Sequence, residues 1–208
     1  MSIVCFGDSL TAGYQSPTWD VPYTIETPYG TFLQERLGEQ ATVVISGVCG
    51  EVTHDMMLRF PHDVVSHTPD YVVILGGTND LGCHLAPPDI FNNLLHMYEQ
   101  ALAAGIRPVA LTVPSIRMEV NPADRYWLDE FVVQRQHLNQ LIRHYCAKQA
   151  VACVDLFEAT VEPNTLLLAG RYSNDGLHLT TEGYRKMADL IYEQVFHARV
   201  RGQHERTE

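Results

Sequence analysis

Five short apolar runs punctuate the chain, at residues 3–6, 42–45, 71–75, 109–113 and 151–154. None alternates strictly between apolar and polar positions, and unbroken runs of this length suit strands buried on both faces of a sheet. Between them the apolar spacing changes to every third or fourth residue. Tyr29, Phe32, Leu33 and Leu37 share one helical face, with Thr27 and Pro28 as cap and first residue and Gly38 as the stop. Residues 89–104, entered through Pro87 and Pro88 and closed by Gly105, read the same way, and 128–149 is a longer helix with a polar face. Residues 53–67 have helical spacing, but Pro61 predicts a kink or a split. The last helix puts Tyr184, Met187, Ala188, Ile191 and Val195 on one face, with Thr180 as its cap and Arg199 and Arg201 toward its negative end.

Strands that alternate with helices predict a parallel sheet, because parallel neighbours need crossovers and those crossovers cover both faces. The expected fold is a three-layer α/β/α sandwich with five strands. Residues 1–198 form one domain in this reading, and 199–208 a polar tail; no internal repeat interrupts them. Ligands of such sheets sit at the carboxyl ends of the strands, which is where the chemistry is to be sought.

The 208 residues are 46% hydrophobic and 19% charged, enough apolar material for a substantial core. A net charge of −11, with no basic run to offset it, argues against nucleic acid and membrane surfaces as partners. No apolar run approaches the length of a bilayer span. The chain reaches Gly7-Asp8-Ser9 too early for a secretory signal, and its five cysteines include no Cys-x-x-Cys pair, so the expected setting is the reducing cytoplasm. Nothing in the pattern selects an oligomeric state.

Four unusual segments follow strand ends or precede the last helix. Gly7-Asp8-Ser9-Leu10 turns from strand to helix and exposes a serine, although taken alone the segment reads better as a helix cap formed by Asp8 or Ser9. Ser46–Glu51, "SGVCGE", has glycines that free a backbone N–H to face a cleft, as glycine turns after strands often do. In Gly76–Asp80, "GGTND", the Asn79 amide is either a donor to developing negative charge or part of an Asx turn. In "NDGLHLTTEGY", from Asn174 to Tyr184, a turn brings Asp175 to one nitrogen of His178 and leaves the other facing the cleft.

Taken together and in this order, the four segments resemble the GDSL esterases and lipases, the serine hydrolases of the SGNH superfamily. The resemblance spans nearly the whole chain and implies a flavodoxin-like SGNH hydrolase fold with no metal and no cofactor. It further implies Ser9 as nucleophile, His178 as general base and then acid, and Asp175 as the residue orienting His178. The implied oxyanion hole is the backbone N–H of Ser9, the backbone N–H of Gly50 and the side-chain amide of Asn79. Two positions depart from or add to the pattern. Ile45 stands where many members carry Asn, so a supporting hydrogen bond is missing or supplied otherwise, and Cys49 beside Gly50 is expected to be buried as a small hydrophobe.

Other classes fit less well. The chain has no Gly-x-Ser-x-Gly, and its acid stands just before its histidine, unlike an α/β-hydrolase. A nucleotide- or flavin-binding module would need a glycine-rich phosphate cradle, and Asp8 occupies that place. His-Glu-x-x-His is absent. The expected partner is a small ester with a short acyl group. Carbohydrate O-deacetylase, lysophospholipase and thioesterase readings of the same fold stay open. Loops at 14–28 and 115–128 contribute Trp19, Tyr23, Tyr126 and Trp127 as candidate substrate contacts.

Overall fold

The structure, a computed structural model, describes residues 1–118 and 125–199, with the backbone alone for 125–127. The chain runs β1 (Ser2–Gly7), α1 (Ser9–Ala12), a ribbon of β2 (Tyr14–Gln15) and β3 (Ile25–Glu26), α2 (Tyr29–Leu37), β4 (Thr42–Gly47), α3 (Thr53–Asp63) and β5 (Tyr71–Leu75). It continues with α4 (Thr78–Gly82), α5 (Pro87–Ala103), β6 (Arg107–Leu111), α6 (Arg125–Gln149), β7 (Ala152–Val154), α7 (Leu156–Thr160) and α8 (Thr181–Ile191). The five longer strands form one sheet in the order β4-β1-β5-β6-β7, and all its pairings are parallel.

Side chains alternate along β1 and feed two cores. Ile3 and Cys5 pack with Tyr29, Leu33, Tyr184 and Met187 from α2 and α8. Val4 and Phe6 point the other way, to Met56, Phe60, Leu94 and Leu138 from α3, α5 and α6. Helices on both faces explain the unbroken apolar run of β1. The run of β4 has a different environment. That strand is the sheet's edge, and Val44 and Ile45 are 52% and 37% exposed, so burial on both faces does not hold there.

Other boundaries moved for local reasons. β6 starts at Arg107 and stops at Leu111. Beyond it, Val113 exchanges both backbone bonds with the Asn139 side chain of α6, 2.7 Å from Val113 N to Oδ1 and 2.9 Å from Nδ2 to Val113 O. The helical segment 53–67 does break after Pro61, which falls in the last turn of α3, and the chain then tightens into a 3₁₀ turn at Val65–His67. Pro28, not Thr27, occupies the cap position of α2, and it makes no side-chain cap bond. The Thr27 hydroxyl accepts instead from Gln15 Nε2 at 2.6 Å. Thr180 does cap α8, accepting from Gly183 N at 3.3 Å, and α8 ends in a wider π turn at Tyr192–Phe196. The short α4 and α7 span about one turn each, too little for apolar periodicity to register in sequence.

Candidate active site

β1 lies between β4 and β5, with Gly7 level with Gly47 on one side and Leu75 on the other. The segment that leaves β1 therefore emerges between the loops that leave its two neighbours. Gly7 is required at this crossing: a Cβ there would stand 2.2 Å from the Leu75 carbonyl oxygen and 2.3 Å from Thr11 Oγ1. Asp8 caps α1, its Oδ1 accepting from Leu10 N at 2.9 Å. Ser9 is then the first helical residue, 5% exposed.

Asp8 is fully buried, and its Oδ2 has no hydrogen-bond partner. Burial pushes its carboxyl up to about 7, with Asp80 and Glu51 adding to the rise and the Leu10 N–H and His178 opposing it. The unfolded chain gives up this proton near the ordinary value of 3.8, whereas the native state holds it to about 7. Stability from Asp8 is thus present below the ordinary value and lost as pH rises to about 7. Asp8→Asn keeps a cap acceptor and cannot ionise. Its Tm relative to the wild type is expected to climb between pH 4 and pH 8; a difference independent of pH in thermal melts would show that Asp8 does not titrate in this range.

The other half of the site is built by a turn before α8. Asp175 Oδ1 accepts from Leu177 N and His178 N, each at 2.8 Å, and this winds the chain so that Oδ2 meets His178 Nδ1 at 2.7 Å. His178 Nε2 lies 3.1 Å from Ser9 Oγ. The carboxylate on Nδ1 selects the tautomer that leaves Nε2 as an acceptor toward the serine. Gly176, inside the turn at φ +84°, admits no side chain, since a Cβ would lie 1.6 Å from the Arg117 carbonyl oxygen. Ser16 donates to Asp175 Oδ2 at 2.5 Å, and the Tyr14 ring packs on the imidazole with centroids 4.5 Å apart. Burial alone would raise the Asp175 carboxyl. The hydrogen bonds from His178, from Ser16 and from the Leu177 and His178 backbone outweigh it and hold the group well below the usual carboxylate range.

Gly50 and Asn79 leave the carboxyl ends of the flanking strands and line the same cleft as Asp175. Gly50 has φ +78°. One Asn79 amide hydrogen goes to the Glu51 carbonyl at 2.8 Å, tying the two loops together and leaving a second hydrogen on the same nitrogen. The loop is fixed further by Arg59 of α3. Its Nη2 donates to the Gly7 carbonyl at 2.9 Å and to Glu51 Oε2 at 2.6 Å, while Nη1 donates to Ser46 Oγ at 2.7 Å and to Asp63 Oδ2 at 2.8 Å. A guanidinium thus fixes the loop that follows Ile45. Asp80 joins the α3 start to α4, accepting from Thr53 N at 3.0 Å and from Thr53 Oγ1 at 2.5 Å. Cys49 is exposed, not buried. Its thiol is pushed up by partial burial and by Glu26 and Asp8, away from a reactive thiolate.

Sequence reasoning named Ser9, Gly50, Asn79, Asp175 and His178, and these five gather at one end of the sheet. Trp19 and Tyr23 do not join them. Trp19 is fully exposed and Tyr23 largely so, and neither lines the cleft; the Tyr126 and Trp127 side chains lie outside the described residues. Arg59, Ser16 and Arg135 went unnoticed. Only Arg59 carried a visible signal, the acidic Asp63 one helical turn after it. Among the described residues no group of three or more His, Cys, Asp or Glu is placed to hold a metal ion, and no helix is long and apolar enough to cross a membrane.

A five-stranded parallel sandwich with a hydroxyl, an imidazole and a carboxylate in line at the carboxyl ends of its strands has the architecture of the α/β hydrolases in the broad sense. Within that class, residues 5–186 match the GDSL-like lipase/acylhydrolase family, and the chain belongs to it. An arylesterase of Vibrio mimicus is 33% identical over 128 residues, 60% of this chain and 58% of its own length. An uncharacterised lipoprotein of Bacillus subtilis, YqeF, is 24% identical over 225 residues, 93% of this chain and 87% of its own. A GDSL-like lipase of Bacteroides thetaiotaomicron has the same fold at a TM-score of 0.75 and 24% identity, with 95% of this chain and 88% of that one covered.

Proposed function

We propose that the chain hydrolyses small carboxylic esters through an acyl-enzyme on Ser9. The observation that carries this reading is the unbroken line from Ser9 Oγ to His178 Nε2, 3.1 Å, and from His178 Nδ1 to Asp175 Oδ2, 2.7 Å. His178 takes the serine proton as the hydroxyl attacks the ester carbonyl, and Asp175 steadies the imidazolium that forms. The carbonyl oxygen becomes an oxyanion, met by the N–H groups of Ser9 and Gly50 and by the free amide hydrogen of Asn79. His178 returns the proton to the departing alcohol. Water, activated by the same imidazole, then attacks the acyl-enzyme and releases the acid. Stoichiometric labelling of Ser9 by an activated phosphonate, slowed when excess ester is present during the reaction, tests the assignment; a labelled Ser9→Ala protein would refute it.

The cleft has a volume of about 540 Å³. Its apolar wall gives a short acyl group about 0.8 kcal/mol per buried methylene, but the same lining includes the buried charge of Arg135, which disfavours a longer apolar chain. kcat/KM is expected to be highest from acetyl to butyryl esters and to fall for longer chains, without a jump at the micellar threshold. A series of 4-nitrophenyl esters checks this, and a maximum at a long chain would count against it. The 33% identity to an arylesterase supports aryl esters as first substrates.

A further inference from the structure

The cleft beside the triad is lined mainly by apolar or small groups, among them Val52, Cys83, Ile116, Met118, Phe131 and Leu177. One member of its wall is of a different kind. Arg135 of α6 lines the cleft and is only 2% exposed. Its Nε has no hydrogen-bond partner, and its Nη1 reaches the Phe131 carbonyl oxygen only at 3.5 Å, the outer limit of a hydrogen bond. Arg59, Arg117 and Arg143, all more exposed, each hold a carboxylate: Glu51 and Asp63, Glu162, and Asp155. Among the described residues, Arg135 has none.

A guanidinium stays charged at neutral pH, even with burial drawing this one down to about 10. Long cationic side chains ordinarily bury the stem and leave the head in water. A charge kept out of water without a partner is costly, and a ligand that supplies the partner recovers that cost on binding. The ligand group must be anionic and planar to match the guanidinium fork, which a carboxylate is. One arginine neutralises one charge. A phosphate dianion would retain a negative charge near Asp175, in a protein of net charge −11.

We propose that Arg135 sets the specificity of this cleft by binding a carboxylate carried by the substrate at a distance from the scissile ester, with an apolar spacer along the wall between them. The inference rests on the esterase reading above and names the substrate class for that site: half-esters of dicarboxylic acids, or esters whose alcohol bears the carboxylate.

Two matched pairs of substrates distinguish these sources. Mono-4-nitrophenyl glutarate against 4-nitrophenyl valerate places the charge on the acyl side, and 3-acetoxybenzoate against 3-acetoxybenzamide places it on the alcohol side. The wild type is expected to prefer the anion in one pair. Arg135→Met should lower that preference about 10- to 100-fold, the size of a hydrogen bond to a charged group, chiefly through KM, and Arg135→Lys should restore part of it. A measurement on the wild type alone guards against misfolded variants. Glutarate or 3-hydroxybenzoate should inhibit hydrolysis of the neutral ester competitively and better than glutaramide or 3-hydroxybenzamide. Turnover of the neutral esters with no preference for either anion, and equal inhibition by acids and amides, would overturn the role of Arg135 and leave the esterase reading intact. No turnover of any ester, with Ser9 unlabelled by phosphonate, would overturn both.

Discussion

Ser9→Ala is expected to lower kcat on 4-nitrophenyl acetate by roughly 10⁴-fold or more, with the fold and its thermal transition retained. The serine hydroxyl is the nucleophile in the proposed reaction, and it sits in a preformed bond to His178 at 3.1 Å. His178→Ala should cost about as much, because a nucleophile without its base is as inert as a base without its nucleophile. For the same reason the double variant should be little worse than either single one. Residual turnover in all three reflects only the oxyanion donors and binding. The measurement is made without added metal and repeated with a chelator. Activity that survives Ser9→Ala but disappears with chelator would reject the serine mechanism.

Asn79→Ala should reduce kcat by roughly 10²- to 10³-fold while KM changes little, since an oxyanion donor acts mainly on the transition state. The structure adds a second consequence. The same amide holds the Glu51 carbonyl at 2.8 Å, so its loss also loosens the loop that presents Gly50. Arg59 still clamps that loop through Glu51 and the Gly7 carbonyl, and the protein should stay folded. A raised KM with kcat intact would instead make Asn79 a substrate-binding residue.

These expectations draw on features of unequal legibility. The alternation of strands and helices was readable because each signal is local: a buried strand needs a short apolar run, and a helix repeats its apolar face every three or four residues. The turn joining Asp175 to His178 was readable for the same reason, its geometry being closed by backbone N–H groups within three residues. Gly7 and Ser9 could be placed at a strand end without knowing what stood beside them.

Which loops meet there is a matter of strand order. That β1 lies between β4 and β5 brings Gly50 and Asn79 to Ser9, and the family resemblance supplied what the local pattern lacked. No short-range rule reaches across 159 residues from Ser16 to Asp175, or across 52 from Arg59 to the Gly7 carbonyl. Edge position likewise exposes Val44 and Ile45 in a run that reads as doubly buried. Trp19 looks like a pocket residue by composition, yet it projects into solvent, while Arg135 looks like one more polar position on a helix and is sealed into the cleft wall. Chain chemistry specifies elements and near-neighbour turns because those depend on backbone geometry within a few residues. Burial, edge position and unpaired charge depend on what the fold packs against each residue, and that exists only once the sheet is assembled.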